Sequence, residues 1–274
     1  MRMSPGEFEA YRDFVEEAGV RAGRELAKSI LQYMENNPQW ADDIPALRRS
    51  VKESALRSIG KYADLSSGRS LQLFNDIINR LGIDWEGSAG YRVDEDAIER
   101  AIRYQLRWLV GGNSDVEKFI DEMDQLCHYH VSKASDDTVS ANVGALHKEA
   151  QKPSYKGDNP SAWAFNYDRN RRKRMQQVRY ARVLTSPEPC TWCTMLASRG
   201  FDYKSEKTAN AGSHRGCKCR FVPGIKDETK IPGYDQEQLL DLWQEMENID
   251  AKQITQAEKK ELKRQLIASV GEKP

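Results

Sequence analysis

The chemistry-bearing residues of this 274-residue chain crowd into one short stretch. Cys190-x-x-Cys193 is followed, after twenty residues, by His214-x-x-Cys217-x-Cys219. A two-residue gap brings both thiolates of one turn to a single tetrahedral ion. The second arm offers an imidazole and a thiol at a similar gap, with Cys219 two residues further on, sharing a face with Cys217 if both lie on a strand. Four donors from two short elements are what structural zinc uses, at about 2.3 Å to sulfur and about 2.0–2.1 Å to nitrogen. The expected Zn2+ ligands are Cys190, Cys193, His214 and one of Cys217 or Cys219. The segment between the arms is rich in Lys, Ser, Ala and Gly and has little core of its own, so a staple there makes physical sense. Disulfides formed late in an oxidising medium, or thiols packed in a core, are the competing readings. The fifth cysteine, Cys127, reads as a core thiol on a helix. His128 and His130 stand two apart, on different helix faces, and read as surface or boundary residues rather than a metal pair.

A second arrangement is catalytic. His147-Lys148-Glu149 followed by Pro189-Cys190-Thr191-Trp192-Cys193 spells the signature of a zinc deaminase, in which the Glu shuttles protons without binding metal. Three features oppose it. Pro153 follows too soon for the His147 helix to continue. The stretch Arg169 to Arg182 is charged where a buried central strand should be apolar. The second arm would have no purpose, because catalytic zinc takes three protein ligands and keeps a position open.

Charge sets the same region apart. The whole chain is formally neutral, yet Ser161 to Ile225 holds thirteen Lys and Arg against four Asp and Glu. Such asymmetry fits an anionic partner, or compensation within the chain or between neighbours. Arg169, Arg171, Arg172, Lys173, Arg174, Arg179 and Arg182 are the candidate nucleic-acid contacts, against the alternative of a solvated helix face. No apolar run approaches the roughly 20 residues that span a bilayer, and Met1 to Glu7 lacks the apolar core of a secretion signal. The expectation is a chain made and kept in a cytoplasm, with no membrane partner.

The elements that position these residues read as mainly α, with a small α+β unit at the C-terminal side. Residues 1–151 are expected to form a bundle of long helices. The first opens at Ser4-Pro5-Gly6-Glu7, a capping box with Pro at the first helical position. Its stripe runs Phe8, Tyr11, Val15, Ala18, Ala22, Leu26, Ile30 and Met34, and Asn36-Asn37-Pro38 ends it. A second starts near Asp43, with a break expected at Ser66-Ser67-Gly68. A loop covers Gly82 to Tyr91. A third runs from Asp94 to Val110 and a fourth opens at a second capping box, Ser114 with Glu117. The break Lys152 to Asn159 is the expected boundary. Residues 160–225 then hold a helix carrying Trp163, Met175, Val178 and Ala181, and the Cys/His-stapled unit. After a loop from Pro223 to Tyr234, residues 226–274 supply an acidic helix, a short helix capped at Thr255 and a polar tail.

The motifs together resemble the MuF-like minor head proteins of tailed bacteriophages, in particular the VG15-like branch. The shared elements are the Arg-rich lead-in from Arg169 to Val183, Cys190 and Cys193 followed by Met195 to Phe201, Tyr203 to Ala209, and His214 to Arg220 before Val222-Pro223-Gly224. Ser213 and Arg215 depart from the family's usual Tyr and its Pro or Asp. The resemblance implies a non-enzymatic head-morphogenesis protein in a few copies per virion. It would lie in the capsid interior, associated with the portal protein and head proteins and in reach of packaged DNA. The bundle of residues 1–151 would make the portal contact.

Overall fold

The computed structural model describes residues 1–110, 114–152, 162–204 and 219–271. Helix α1 (Pro5–Asn36) begins as expected. Ser4 Oγ accepts from the Glu7 amide, Glu7 Oε2 accepts from the Ser4 amide at 2.8 Å, and the whole expected stripe is buried. Glu7 also pairs with Arg80, which with the Ser4 amide holds its carboxyl down at about 2. A 3-10 turn (Trp40–Asp42) leads into α2 (Ile44–Arg80), capped by Asp43.

The expected break at Ser66-Ser67-Gly68 does not occur; α2 runs through it. Ser66, Ser67 and Ser70 all face inward. Their small side chains let neighbouring helices approach, and the Ser67 and Ser70 hydroxyls find partners there rather than competing with the backbone. Ser70 Oγ donates to Ser66 O at 3.0 Å and meets Ser135 Oγ at 2.6 Å, while Ser67 meets Thr138 at 2.6 Å.

Helix α3 (Glu95–Gln105) is shorter than expected and passes into a 3-10 turn (Leu106–Trp108); Gly111 and Gly112 lie outside the described residues. Helix α4 (Val116–Gln151) is capped by Asp115, whose Oδ1 accepts from Lys118 N at 2.8 Å. The expected Ser114 box is displaced by one residue, Asp115 taking the cap. The three long helices, about 48–55 Å each at 1.5 Å per residue, pack side by side. Gly19 and Gly23 of α1 make this possible: a Cβ there would lie 2.6 Å from the His128 ring and 1.8 Å from the Asp124 carboxylate of α4.

The rest is α5 (Ala162–Gln177), β1 (Val178–Val183), α6 (Thr191–Ala197), β2 (Arg220–Ile225), α7 (Gln236–Asp250) and α8 (Gln256–Gly271). The helix expected through Val178 and Ala181 ends at Gln177, where β-branched and aromatic residues take over. β1 and β2 are antiparallel, from Val178 opposite Ile225 to Val183 opposite Arg220. Pro223, expected in a loop, lies on β2 opposite Tyr180. The Tyr180 amide turns the other way, to Tyr203 O at 3.0 Å, so this is a pair that needs no proline N–H.

Two apolar cores are present. One joins the later part of α1 and the early part of α2 to α3 and the start of α4. The other joins the opposite end of the bundle, including Phe8, Phe74 and Leu146, to Val178, Tyr180, Phe221 and Ile231. The residues flanking the expected boundary therefore share one core. The N-terminus is woven in as well: Met3 N donates to Lys230 O at 3.1 Å, and Lys230 N to Met1 O at 3.0 Å. Within the second core Tyr11 Oη meets Ser135 at 2.6 Å and Ser70 at 3.3 Å. Tyr11→Phe removes one partner from each serine and should cost about 1–2 kcal/mol in urea unfolding; an unshifted midpoint would show that this layer carries no register.

His130, expected at a boundary, is buried beside Tyr91. Burial pulls its pKa down to about 4 from 6.5. Its neutral form thus contributes stability that is full above about pH 6.5 and lost as pH falls toward 4, up to about 3 kcal/mol. Thermal melts of His130→Asn should vary less than wild type across that window.

Candidate metal turn and the buried arginines

Cys190 is the N-cap of α6. Its Sγ accepts from Cys193 N at 3.3 Å, and its carbonyl accepts from Thr194 N at 3.0 Å and Thr194 Oγ1 at 3.1 Å. The thiolate is the form of cysteine that binds metal. Cys190 is exposed and Cys193 is buried one turn on. This turn fits one half of a thiolate centre. Cys219 is buried immediately before β2. Among the described residues no three His, Cys, Asp or Glu side chains converge on one point, so Cys190, Cys193 and Cys219 do not make a ligand set by themselves. His214 and Cys217 lie outside the described residues. Cys127 sits in the core of α4, where burial pushes its thiol pKa far up.

The deaminase arrangement is not assembled. His147 Nε2 lies 2.7 Å from Val178 O and 3.0 Å from Arg179 Nη1, and Glu149 pairs with Lys152 at 2.6 Å. Neither joins Cys190 and Cys193 in a metal-binding group. Burial lowers the His147 pKa, and its ring works as a strut between α4 and β1.

Most of the arginine run is half-exposed and bonded to the protein's own acceptors. Arg171 donates to Asp84 O. Arg172 donates to Asp168 at 2.8 Å and to Lys152 O. Arg174 holds Leu81 O at 2.6 Å and grips Glu228 with both Nη1 and Nη2, at 3.2 and 2.7 Å. Arg179 donates to Gln176 O and Val178 O. These contacts fasten α5 and β1 to the loop after α2 and to the turn after β2. Arg182 is 0% exposed, its guanidinium 5.3 Å from the Phe221 ring centre; a side chain closed to solvent does not reach a phosphate backbone in this fold. Arg169 and Lys173 are the exposed members.

Arg182 also overturns the argument that a charged lead-in cannot be a buried strand. It faces inward on β1, and Arg220 is nearly as buried on β2. Arg220 Nη1 donates to Cys219 O at 2.9 Å, and Nη2 lies 3.7 Å from Glu16 of α1. Asp136 of α4 is itself 5% exposed, and its Oδ1 takes the Phe221 amide at 3.0 Å. Asp136 and Arg220 act in opposite directions on the Tyr11 hydroxyl, whose pKa burial raises. Asp136, Glu16 and Tyr11 carry no motif. The one available signal was an aspartate among closely spaced buried positions of α4.

Fold and turn together define a long-helix protein bearing a cysteine-containing α+β unit built onto one end of its bundle. Residues 2–155 and 163–246 match the VG15 protein family; the chain belongs to that family, which is phage-associated. No curated protein and no solved structure matches it. No helix among the described residues is long and apolar enough to cross a membrane.

Removing Asp136 leaves the buried Phe221 amide without its acceptor. Asp136→Ala should cost about 1–3 kcal/mol. Near-neutral behaviour in chemical unfolding would show that the contact is incidental.

Proposed function

We propose that this chain is an architectural, non-enzymatic component of a tailed-phage head: a minor capsid protein of the MuF-like kind, placed inside the capsid beside the portal protein. The observation that carries the reading is the family match, which runs through the long bundle and the cysteine unit together. The two share one core, which suits a rod-like part that transmits position rather than a pocket that turns over substrate. In this reading the bundle presents its outer faces to the portal or head proteins.

The Cys190 turn supplies half of a structural zinc site. Cys190 and Cys193 would hold the ion together with His214 and one of Cys217 or Cys219. When bound, such an ion supplies folding free energy of about 10–16 kcal/mol in small units. The turn's N–H···S contact fits that role.

Two measurements test the reading. Purified, nuclease-treated particles should retain the chain at a fixed ratio to the portal protein. Loss of the chain from washed particles, with a soluble activity left in the lysate, would overturn the proposal. Elemental analysis of the purified chain should find about one zinc per molecule, lost in Cys190→Ser/Cys193→Ser, and chelation should lower its melting temperature. A metal-free chain with an unchanged melt would remove the staple.

A further inference from the structure

A groove of about 580 Å³ separates the Cys190 turn from α8. Its walls carry Trp192 on one side and Lys259, Lys260, Lys263 and Arg264 on the other. Helix α8 lies wholly beyond residue 246, where the family match ends, so this half of the groove does not come with the family. It is held in place by its own contacts. Lys263 reaches Thr191 Oγ1 at 2.7 Å and Asp250 at 2.5 Å, Thr191 reaches Asp250 at 2.8 Å, and Arg264 pairs with Glu188 at 3.0 Å. Those pairings neutralise both carboxylates that line the groove. Two cations remain over: Lys259, which donates to the Asp250 carbonyl, and Lys260, which makes no ion pair among the described residues.

The opposite wall is harder to explain as packing. Trp192 stands between the two cysteines of the turn and is 48% exposed. A large indole left open beside surplus lysines is the combination that single-stranded nucleic acids use: a flat ring for an unpaired base, and ammonium groups for the phosphates either side. A duplex keeps its bases stacked and offers the indole nothing. An acidic peptide would satisfy the lysines but leave the ring face unused.

We propose that the groove between the Cys190 turn and α8 binds single-stranded nucleic acid, with a base stacked on Trp192 and neighbouring phosphates held by Lys259 and Lys260. This surface is separate from the arginine run, whose guanidinium groups are largely turned to the protein's own acceptors. It stands whether or not the chain is a head component.

Fluorescence anisotropy of the full chain with a labelled oligothymidylate tests it. Binding should weaken steeply with salt. Trp192→Ala and Lys259→Glu/Lys260→Glu should each weaken it about tenfold or more, while Trp192→Phe, which keeps a ring, retains most of the affinity. Arg48→Glu/Arg107→Glu, at a second basic groove on α2 and the turn after α3, should leave it unchanged. Circular dichroism and thermal melts establish that each variant is folded. The proposal is overturned by absence of binding at low salt, by affinity that ignores Trp192 and the lysines, by preference for a duplex, or by displacement with polyglutamate. None of these outcomes touches the head assignment, which is read from particles.

Discussion

A single buried carboxylate connects the two halves of this protein. Asp136 projects from the middle of α4 and accepts the backbone amide of Phe221 on β2. Two arginines, Arg182 and Arg220, are buried on the same two-stranded sheet. A guanidinium taken out of water is strongly unfavourable unless negative charge and acceptors come with it. For Arg220 the bundle brings Glu16 of α1 and the sheet the Cys219 carbonyl, and Asp136 acts with Arg220 on the same Tyr11 hydroxyl. The sheet is short and has little core of its own, so its position against the bundle is set by this polar junction and the apolar residues around it.

Other contacts repeat the same coupling. The first residues of the chain pair with Lys230, Arg174 ties α5 to Leu81 and Glu228, and His147 braces the start of β1. The cysteine turn therefore does not hang from a linker. α6 packs on β1 and α7, which places Cys190 and Trp192 at a defined point on a long body. That geometry suits a part whose job is to hold one surface at a set distance from another.

Much of the bundle was legible because its signals are local. Ser4, Pro5 and Glu7 announce the start of α1, and the three-and-four spacing from Phe8 to Met34 gives its buried face without reference to anything else. The misreadings came where tertiary partners decide. Ser66-Ser67-Gly68 resembles a break until the hydroxyls of Ser135 and Thr138 are placed opposite. Val178 to Val183 continues a helical charge pattern until β2, with Phe221, and an isolated bridge at Tyr203 flank it. For Arg171 and Arg174 the sequence shows the charge but not the carbonyls of Asp84 and Leu81 that receive them. The family was readable from the cysteine motifs, because thiol spacing is a chemical constraint visible in one dimension. Asp136 was not, because its importance depends on a strand eighty-five residues away.

The central claim is that the bundle and the C-terminal unit form one cooperative body through the Asp136 junction. Native-state hydrogen exchange of the full chain measures this directly. The account predicts that the Phe221 amide and the amides of α4 around Asp136 open together, with the same free energy and the same dependence on denaturant. Exchange at Phe221 that is fast and independent, while α4 stays protected, would contradict it.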